Sequence, residues 1–366
     1  MPMIYLVAGA RPNFMKIAPI VRAFKNSGKN LQFKIIHTGQ HFDHEMSDVF
    51  FQELGIPMPD YHLGAGGGSH AEQTAKIMIA FEKVCLNERP DCVLVVGDVN
   101  STLACSIVAK KMQIPVAHVE AGLRSGDINM PEEVNRLVTD SISDWFFVTE
   151  PSGVKHLALE GKSRDVIFEV GHVMIDNLLY QNSVLDKSDK TGFISEPIKK
   201  KLSRYGVVTL HRPSNVDDVE KLQKIVSALN KVSKVLPLVF PVHPRTRQML
   251  ERLPIELSDS ITLTKPLSYM DFLNLWKDAV VVMTDSGGLQ EETTGLGVPC
   301  LTIRENTERP ITVDEGTNIL VGTDPDLIER EAMRAIESGG KRGVRPELWD
   351  GQSANRIVSK LSDLLA

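Results

Sequence analysis

The sequence of 366 residues lacks most of the features that mark specialised protein classes. It has only 4 cysteines, irregularly spaced and without a Cys-x-x-Cys pair. This spacing argues against a disulfide framework or a cysteine-ligated zinc and favours a reducing compartment. No apolar run approaches the ~18 residues that a membrane-spanning helix needs, and the first residues do not resemble a signal peptide. We therefore expect a cytoplasmic protein with no membrane partner.

A strong charge of either sign is also lacking. Lys and Arg number 41 and Asp and Glu 47, which gives a net charge of −6 and no overall basic field for a polyanion. We therefore expect no nucleic-acid partner. Hydrophobic residues make up 42% and charged residues 24%, an ordinary globular composition that excludes a disordered chain, a collagen-like repeat and a coiled coil. The length predicts roughly two domains, at about 150 residues each.

Short apolar runs rich in β-branched residues alternate with helical patterns along the whole chain. Such runs are typical of strands buried on both faces of a parallel sheet. The predicted strands are residues 3–8, 32–37, 92–97, 116–119, 145–149, 205–210, 238–242, 261–264, 280–284 and 300–302. The predicted helices are residues 14–27, 44–54, 71–87, 101–113, 132–143, 219–235, 246–252, 268–276 and 289–295, with a connecting helix at 172–185.

This alternation predicts an α/β fold with two Rossmann-like β/α/β domains and a cleft between them. We place the boundary near Gly171, where the pattern restarts. The domains would be residues 1–171 and 172–352. An amphipathic helix at 353–365 could pack back on either domain, and we assign residues 353–366 to the first.

The segment 9–16, Gly-Ala-Arg-Pro-Asn-Phe-Met-Lys, follows the first predicted strand. Ligands of open α/β sheets bind beyond the carboxyl ends of the strands, so this turn lies where a ligand would sit. It is neither a dinucleotide fingerprint nor a Walker loop. Arg11 and Lys16 would suit a diphosphate, and solvated cations at the start of a helix explain them equally well.

Several carboxylates stand at or near the ends of predicted strands in the first half. Asp98 and Glu120 each follow a strand, and Glu132 and Glu133 begin a helix. Helix capping, or a pair between Glu132 and Arg136 four residues later, would be an ordinary structural explanation. Alternatively, Asp98, Glu120 and one of the glutamates gather at one rim. Converging carboxylates can have their pKa values pushed apart, which would give an acid and a base at neutral pH.

The strongest single signal is the segment 285–292, Asp-Ser-Gly-Gly-Leu-Gln-Glu-Glu. A strand, a Gly-Gly turn and a helix N-terminus together form an anion site, and we prefer this interpretation to a purely structural turn. Glu292 would lie in the first turns of that helix, within reach of ribose hydroxyls. His211 stands beside Arg212 at another strand end.

A metal site is not predicted. The spacing of His41 and His44 would allow one, but His-Glu-x-x-His is absent and no third ligand is evident. The Gly-x-Ser-x-Gly elbow of serine hydrolases is missing as well.

Taken together, seven ordered blocks resemble the non-hydrolysing UDP-N-acetylglucosamine 2-epimerases. They lie at residues 9–16, 39–41, 97–98, 118–124, 131–136, 211–212 and 285–292. The resemblance implies a GT-B-like fold with the nucleotide in the interdomain cleft. It also implies interconversion of UDP-N-acetylglucosamine and UDP-N-acetylmannosamine, through elimination of UDP to 2-acetamidoglucal and its re-addition, without NAD or an obligatory metal.

The resemblance also implies residue roles by motif position. The catalytic candidates are Asp98, Glu120, Glu132 and His211. The substrate-binding candidates are Arg11, Lys16, Arg136, Phe272, Ser286, Gly287, Gly288 and Glu292, with Phe272 against the uracil, Glu292 on the ribose and the Ser-Gly-Gly turn on phosphate. Which carboxylate is the acid and which the base stays open.

Some relatives bind a second UDP-N-acetylglucosamine as an activator, and Gln40, His41, Arg212 and His243 match part of that pattern. Relatives are commonly dimers, so a homodimer is expected. Three alternatives stay open: a GT-B glycosyltransferase with a UDP-sugar donor, an epimerase of UDP-2,3-diacetamido uronic acid, and a catalytically silent nucleotide-sugar sensor.

Overall fold

The computed structural model of the protein describes residues 1–39 and 48–366. They form two compact units, residues 1–177 with 347–366 and residues 178–346. These bounds differ by a few residues from the limits expected from sequence, 1–171 and 172–352, because one helix, Val173–Lys187, crosses the boundary. Within the described residues, no helix combines the length and the apolar character needed to cross a membrane.

The described part of the first unit contains a seven-stranded parallel sheet. The strands lie in the order β3-β2-β1-β4-β5-β6-β7. Their bounds are β1 Met3–Ala8, β2 Gln32–His37, β3 Tyr61–His62, β4 Cys92–Val96, β5 Val116–Val119, β6 Trp145–Val148 and β7 Ile167–Glu169. The five predicted strands of this half are confirmed to within about one residue. Two short strands, β3 and β7, were not predicted.

Helices flank this sheet. They are α1 Arg11–Asn26, α2 Asp48–Leu54, α3 His70–Asn87, α4 Asn100–Lys111, α5 Pro131–Ile142, α6 Pro151–Leu159 and α7 Val173–Lys187. Helix α1 begins three residues before its predicted start, because Pro12 suits a first helical turn and the Asn13 Oδ1 atom accepts the N–H of Ala10 at 3.0 Å. The predicted helix 44–54 is described only from Asp48 onward.

The second unit repeats the pattern with a six-stranded parallel sheet. Its strands lie in the order β10-β9-β8-β11-β12-β13. Their bounds are β8 Gly206–Thr209, β9 Leu238–Pro241, β10 Ile261–Thr264, β11 Val281–Thr284, β12 Cys300–Thr302 and β13 Asn318–Leu320. The helices are α8 Ser195–Lys201, α9 Pro213–Val216, α10 Val219–Ser233, α11 Pro244–Leu250, α12 Tyr269–Trp276, α13 Gly287–Leu296, α14 Pro310–Asp314 and α15 Pro325–Ser338.

The two sheets have equivalent topologies. In each, the first strand of the unit lies in the middle, with the next two strands on one side and the later strands on the other. Ligands of such sheets bind where the strand order reverses, beyond the carboxyl ends of the strands. This position lies between β1 and β4 in the first unit and between β8 and β11 in the second.

The C-terminal helix α16, Ser353–Leu364, belongs to the first unit and packs on α1. Its apolar face, with Ile357 and Leu361 fully buried, covers that helix. The start of α16 is held by Asp176, which accepts the N–H of Ala354 at 2.7 Å.

Candidate active site

The turn after β1 is tightly built. The Asn13 side chain accepts the N–H groups of Gly9 and Ala10, and its Nδ2 atom donates to the carbonyl oxygen of Val96 at the end of β4. A Cβ atom on Gly9 would lie 2.0 Å from the Ser101 Oγ atom, so only glycine fits there. The ends of β1 and β4 are therefore fixed against each other.

Lys16 extends from α1 to the end of β5. Its Nζ atom lies 2.6 Å from the Oε2 atom of Glu120, which is only 3% exposed. The backbone of Glu120 has a φ of 70°, a left-handed conformation that costs a side-chain-bearing residue about 1–3 kcal/mol. Strain of this kind concentrates at functional sites. Glu120 therefore combines three features: burial, a cation partner and a strained backbone.

Asp98 follows β4 and is paired with Arg136 of α5. The Arg136 Nη1 atom lies 2.6 Å from the Asp98 Oδ2 atom, and the Asn135 side chain donates to the Asp98 carbonyl oxygen at 2.8 Å. Asp98 remains partly exposed while Arg136 is buried. Two carboxylates, each with its own cation, thus stand at the ends of the neighbouring strands β4 and β5.

The two glutamates at the start of α5 have different roles. Glu133 is buried, accepts the N–H groups of Ser125 and Gly126, and pairs with Arg136 at 2.8 Å. Burial raises the pKa of Glu133, but these bonds and the Arg136 charge outweigh it and hold the pKa below its usual range. The suggested pair between Glu132 and Arg136 is therefore wrong, since Glu133 takes that place. Glu132 is exposed.

In the second unit, Asp285 follows β11 and organises the turn after β8. It is fully buried and accepts the backbone N–H groups of His211 and Arg212. It also lies 2.9 Å from the Nδ1 atom of His211, whose side chain is 53% exposed. Burial raises the pKa of Asp285, but the His211 bond and the backbone N–H groups lower it further than burial raises it. With Nδ1–H donated to Asp285, a neutral His211 keeps Nε2 as its proton-accepting nitrogen.

Two guanidinium groups and the Glu308 carboxylate lie beside the N-terminus of α13. A Cβ atom on Gly287 would lie 3.9 Å from both Arg212 Nη2 and Arg304 Nη1. A Cβ atom on Gly288 would meet nothing within 4 Å. Helix N-termini and guanidinium groups both attract anions, so this turn can hold phosphate, with Ser286 as its N-cap. Arg304 was not predicted, although its place two residues after β12 was a strand-end signal.

Glu308 balances these cations. Its Oε2 atom lies 2.8 Å from Arg304 Nη2, and its Oε1 atom lies 3.8 Å from Arg212 Nη2. Burial raises the pKa of Glu308, but the Arg304 bond and the charges of Arg304 and Arg309 hold it at about 2. Glu308 is therefore a permanent carboxylate beside the anion-binding turn.

Glu292 lies further along α13 and is buried. It accepts a hydrogen bond from the Tyr269 hydroxyl at 2.8 Å. Burial is the main cause that raises its pKa, to about 7, and the neighbouring Glu291 charge adds to the effect. Tyr269 and the half-buried Phe272 share helix α12. Tyr269 was not predicted, because only tertiary packing brings it to Glu292.

Two further predicted residues, Arg11 and His243, lie at the starts of helices. Arg11 is exposed at the start of α1, and His243 is an exposed N-cap that accepts the N–H of Arg245. Gln40 and His41, with the candidate metal ligand His44, lie outside the described residues. In residues 1–39 and 48–366, no group of three or more His, Cys, Asp or Glu side chains could hold a metal ion.

Comparison with known families decides the relationship. The profile of the family described as UDP-N-acetylglucosamine 2-epimerase matches residues 23–362. The chain belongs to this family of epimerases. The resemblance expected from the motifs is thus confirmed, as is the α/β fold with two Rossmann-like, GT-B-like sheets.

Two curated relatives span the whole chain. The chain is 40% identical to the UDP-N-acetylglucosamine 2-epimerase of Methanocaldococcus jannaschii, over 98% of each protein. It is 39% identical to the UDP-2,3-diacetamido-2,3-dideoxy-D-glucuronate 2-epimerase of Pseudomonas aeruginosa, over 99% of each. The crystal structure of the M. jannaschii epimerase with UDP-GlcNAc and UDP superposes with a TM-score of 0.86, covering 99% of this chain and all of that one.

Proposed function

We propose that the protein interconverts UDP-N-acetylglucosamine and UDP-N-acetylmannosamine by inverting C2 of the sugar. Membership of the epimerase family and 40% identity to a UDP-N-acetylglucosamine 2-epimerase support this substrate. The observation that carries the proposal is the pair of carboxylates at neighbouring strand ends, Glu120 with Lys16 and Asp98 with Arg136. Epimerisation needs one group to remove a proton and another to return it.

The reaction also needs groups that bind the diphosphate, because UDP leaves the sugar and then adds back to it. The C2 proton of the sugar is not next to a carbonyl, so its simple removal would be difficult. In the proposed elimination, a base takes that proton, a C1–C2 double bond forms, and the C1–O bond breaks with its electron pair leaving on UDP. In the reverse addition, UDP attacks C1 of the 2-acetamidoglucal and an acid protonates C2 from the opposite face.

The proton-transfer groups come from the first unit. We assign base and acid to the set Asp98, Glu120 and Glu132, with His211 of the second unit as a further catalytic group. The cations Lys16 and Arg136 pair with Glu120 and Asp98 and fix the positions of these carboxyls. Arg11, Lys16 and Arg136 contact the diphosphate or the sugar in this proposal.

The second unit holds the nucleotide. The N-terminus of α13, with Ser286, Gly287 and Gly288, binds phosphate and stabilises the charge that develops on the leaving UDP. Glu292 accepts hydrogen bonds from the ribose hydroxyls, and Phe272 lies against the uracil. Arg212 and Arg304 add positive charge near this turn.

A second substrate deserves the same test. The 39% identity to the diacetamido-glucuronate epimerase is nearly equal to that of the first relative. We therefore keep the UDP-2,3-diacetamido uronic acid as the alternative sugar. Activation by a second UDP-N-acetylglucosamine, through Gln40, His41, Arg212 and His243, would appear as a sigmoidal dependence of rate on substrate concentration.

The proposed setting is a cytoplasmic homodimer. All four cysteines are buried free thiols, which fits a reducing compartment. The dimer follows from the family resemblance.

The test is to incubate the protein with each sugar nucleotide, without acceptor, and to follow the anomeric protons by NMR. We expect UDP-N-acetylmannosamine signals to grow to a constant ratio with UDP-N-acetylglucosamine. An Asp98→Asn protein purified in parallel excludes a contaminating epimerase. Conversion of the diacetamido substrate alone would favour the alternative sugar. Conversion of neither, with UDP released only when an acceptor is added, would favour a glycosyltransferase.

A further inference from the structure

The side chain of His118 connects the two strand ends that carry Asp98 and Glu120. His118 lies on β5 and is 0% exposed. Its Nδ1 atom lies 2.7 Å from Asp140 Oδ1, and its Nε2 atom lies 2.8 Å from the carbonyl oxygen of Gly97. Gly97 directly precedes Asp98, and His118 is two residues before Glu120. One buried ring therefore ties the turn of the first carboxylate to the strand of the second.

Asp140 holds the same region from helix α5. It is 0% exposed, and its Oδ2 atom accepts the N–H of Gly122 at 2.9 Å and lies 2.7 Å from Arg124 Nη1. Gly122 belongs to the turn after Glu120, where a Cβ atom would lie 2.3 Å from the carbonyl oxygen of Gly153. The turn is thus packed too tightly to move without breaking its bond to Asp140.

The partners of His118 define which hydrogen bonds its ring can form. A backbone carbonyl and a carboxylate are both acceptors, so both contacts of His118 are hydrogen bonds only when each ring nitrogen carries a proton. Burial raises the pKa of Asp140, but His118, Arg124 and the Gly122 N–H outweigh it and lower the pKa. Asp140 is therefore a buried carboxylate between His118 and Arg124. Removing one member of such a set leaves an uncompensated charge.

We propose that His118 and Asp140 are positioning residues whose buried ion pair fixes the spacing of the Asp98 and Glu120 carboxyls. The inference rests on the proposed function, in which these carboxyls act on one sugar ring. Helix α5 also holds the Asp98 turn through Asn135, so it touches both turns. A misplacement of a catalytic group by about 1 Å can lower a rate about 100-fold. We therefore expect the pair to affect turnover and not nucleotide affinity.

The kinetic test compares two substitutions of the same type. Asp140→Asn removes the charge that faces His118. The control is Asp144→Asn at the opposite end of β5, where Asp144 accepts the N–H of Val116 and pairs with Lys110 at 2.7 Å.

We expect Asp140→Asn to lower kcat about 10- to 100-fold, with the KM for UDP-N-acetylglucosamine and the Kd for UDP within about twofold of wild type. Asp144→Asn is expected to keep the wild-type kcat. A wild-type kcat in Asp140→Asn, or equal losses in both variants, would overturn the proposal. If Asp140→Asn fails to fold, His118→Gln replaces it, since Gln can reach one of the two partners but not both.

A spectroscopic test needs no activity. With ¹⁵N-labelled histidine, the wild-type protein is expected to show both ring nitrogens of His118 protonated, with the resonance identified by its loss in His118→Gln. In Asp140→Asn, the amide can donate to Nδ1, so the ring is expected to become neutral with its proton on Nε2. A neutral His118 in the wild-type protein would refute the ion pair, whatever the activity. An imidazolium in a protein without epimerase activity would support the pair and contradict the proposed function instead.

Discussion

The two units have the same order of central strands but different side chains where that order reverses. In the first unit this position carries carboxylates, Glu120 paired with Lys16 and Asp98 paired with Arg136. In the second unit it carries a helix N-terminus beside Arg212 and a histidine held by a carboxylate. In the proposed reaction, one topology thus provides proton transfer in one place and anion binding in the other, because strand-end side chains and not the fold decide the chemistry.

Glu133 and Asp140 of the first unit also differ from Glu292 of the second in the direction of their pKa shifts. In the first unit, cations and backbone N–H groups stabilise the charged forms of Glu133 and Asp140. In the second unit, Glu292 is buried against a tyrosine hydroxyl, and its pKa rises to about 7. Glu133 and Asp140 are therefore held as carboxylates, whereas Glu292 titrates near neutrality.

The largest expected effect is a loss of turnover caused by a substitution in the first unit. Glu120→Gln is expected to lower kcat about 1,000-fold, since general acid–base catalysis contributes about 10²–10⁴-fold. The Kd for UDP, measured by calorimetry, is expected to stay within about twofold, because the substitution leaves the proposed nucleotide contacts of the second unit and the positive charge of Lys16 in place.

The matched control is Glu88→Gln in the same unit. Glu88 forms a Lys–Glu pair with Lys34 at 2.6 Å, the same length as the Lys16–Glu120 pair. Its loss is expected to leave kcat unchanged. Near-wild-type turnover in Glu120→Gln would assign Glu120 a purely structural role.

The next prediction concerns Glu292 and pH. The usual pKa of its carboxyl is 4.5 and the folded value is about 7, so the folded state binds the proton more tightly than the unfolded state. Ionisation of Glu292 therefore does not affect the free energy of unfolding below pH 4.5. This free energy falls as the pH rises from 4.5 to about 7. Above pH 7 the loss is up to ~3 kcal/mol.

Glu292→Gln is expected to remove this loss. Urea unfolding of wild type and variant at pH 5 and pH 8 measures it, with the variant gaining relative stability at pH 8. A gain of equal size at both pH values would mean that the carboxyl does not titrate between them.

A smaller effect is expected from the cation beside the anion-binding turn. Arg212→Gln should raise the Kd for UDP about 10- to 100-fold, since a hydrogen bond to a charged group contributes about 1.5–3 kcal/mol. Arg245→Gln is the control, because Arg245 is exposed and pairs with Asp217 in the same unit. Equal affinities of the two variants would remove Arg212 from the phosphate site.

The smallest expected effect is a difference in stability between alanine substitutions at the two glycines of the turn. Gly288→Ala places its methyl group in open space within a helix and is expected to stabilise the ligand-free protein by about 0.5–1 kcal/mol. In Gly287→Ala the Cβ atom would lie 2.9 Å from Glu308 Oε1, so the Glu308 side chain must shift and the gain is expected to shrink. Thermal unfolding measures both variants, and identical shifts would contradict the described position of Glu308.

The sequence predicted the elements and residues that depend on local pattern. Strands such as β4 and β11 are continuous apolar runs, and Asp98, Glu120 and Ser286 follow strands directly, so topology alone brings them to the sheet edges. Local pattern could not choose between Glu132 and Glu133, because packing sets which face of a helix is buried, and only the family resemblance named Glu132. Asp140 lies in the last turn of α5 without a motif, and its partner His118 is 22 residues away. The short strands β3 and β13 were not predicted, although β12, also of three residues, was.

The most direct test of the central claim is epimerisation in heavy water. If a first-unit carboxyl removes the C2 proton and a second group returns one from the other face, newly formed UDP-N-acetylmannosamine must carry one deuterium at C2. Mass spectrometry and the loss of the C2 proton signal in NMR would detect it. Product that is epimerised but keeps the original hydrogen at C2 would contradict the account.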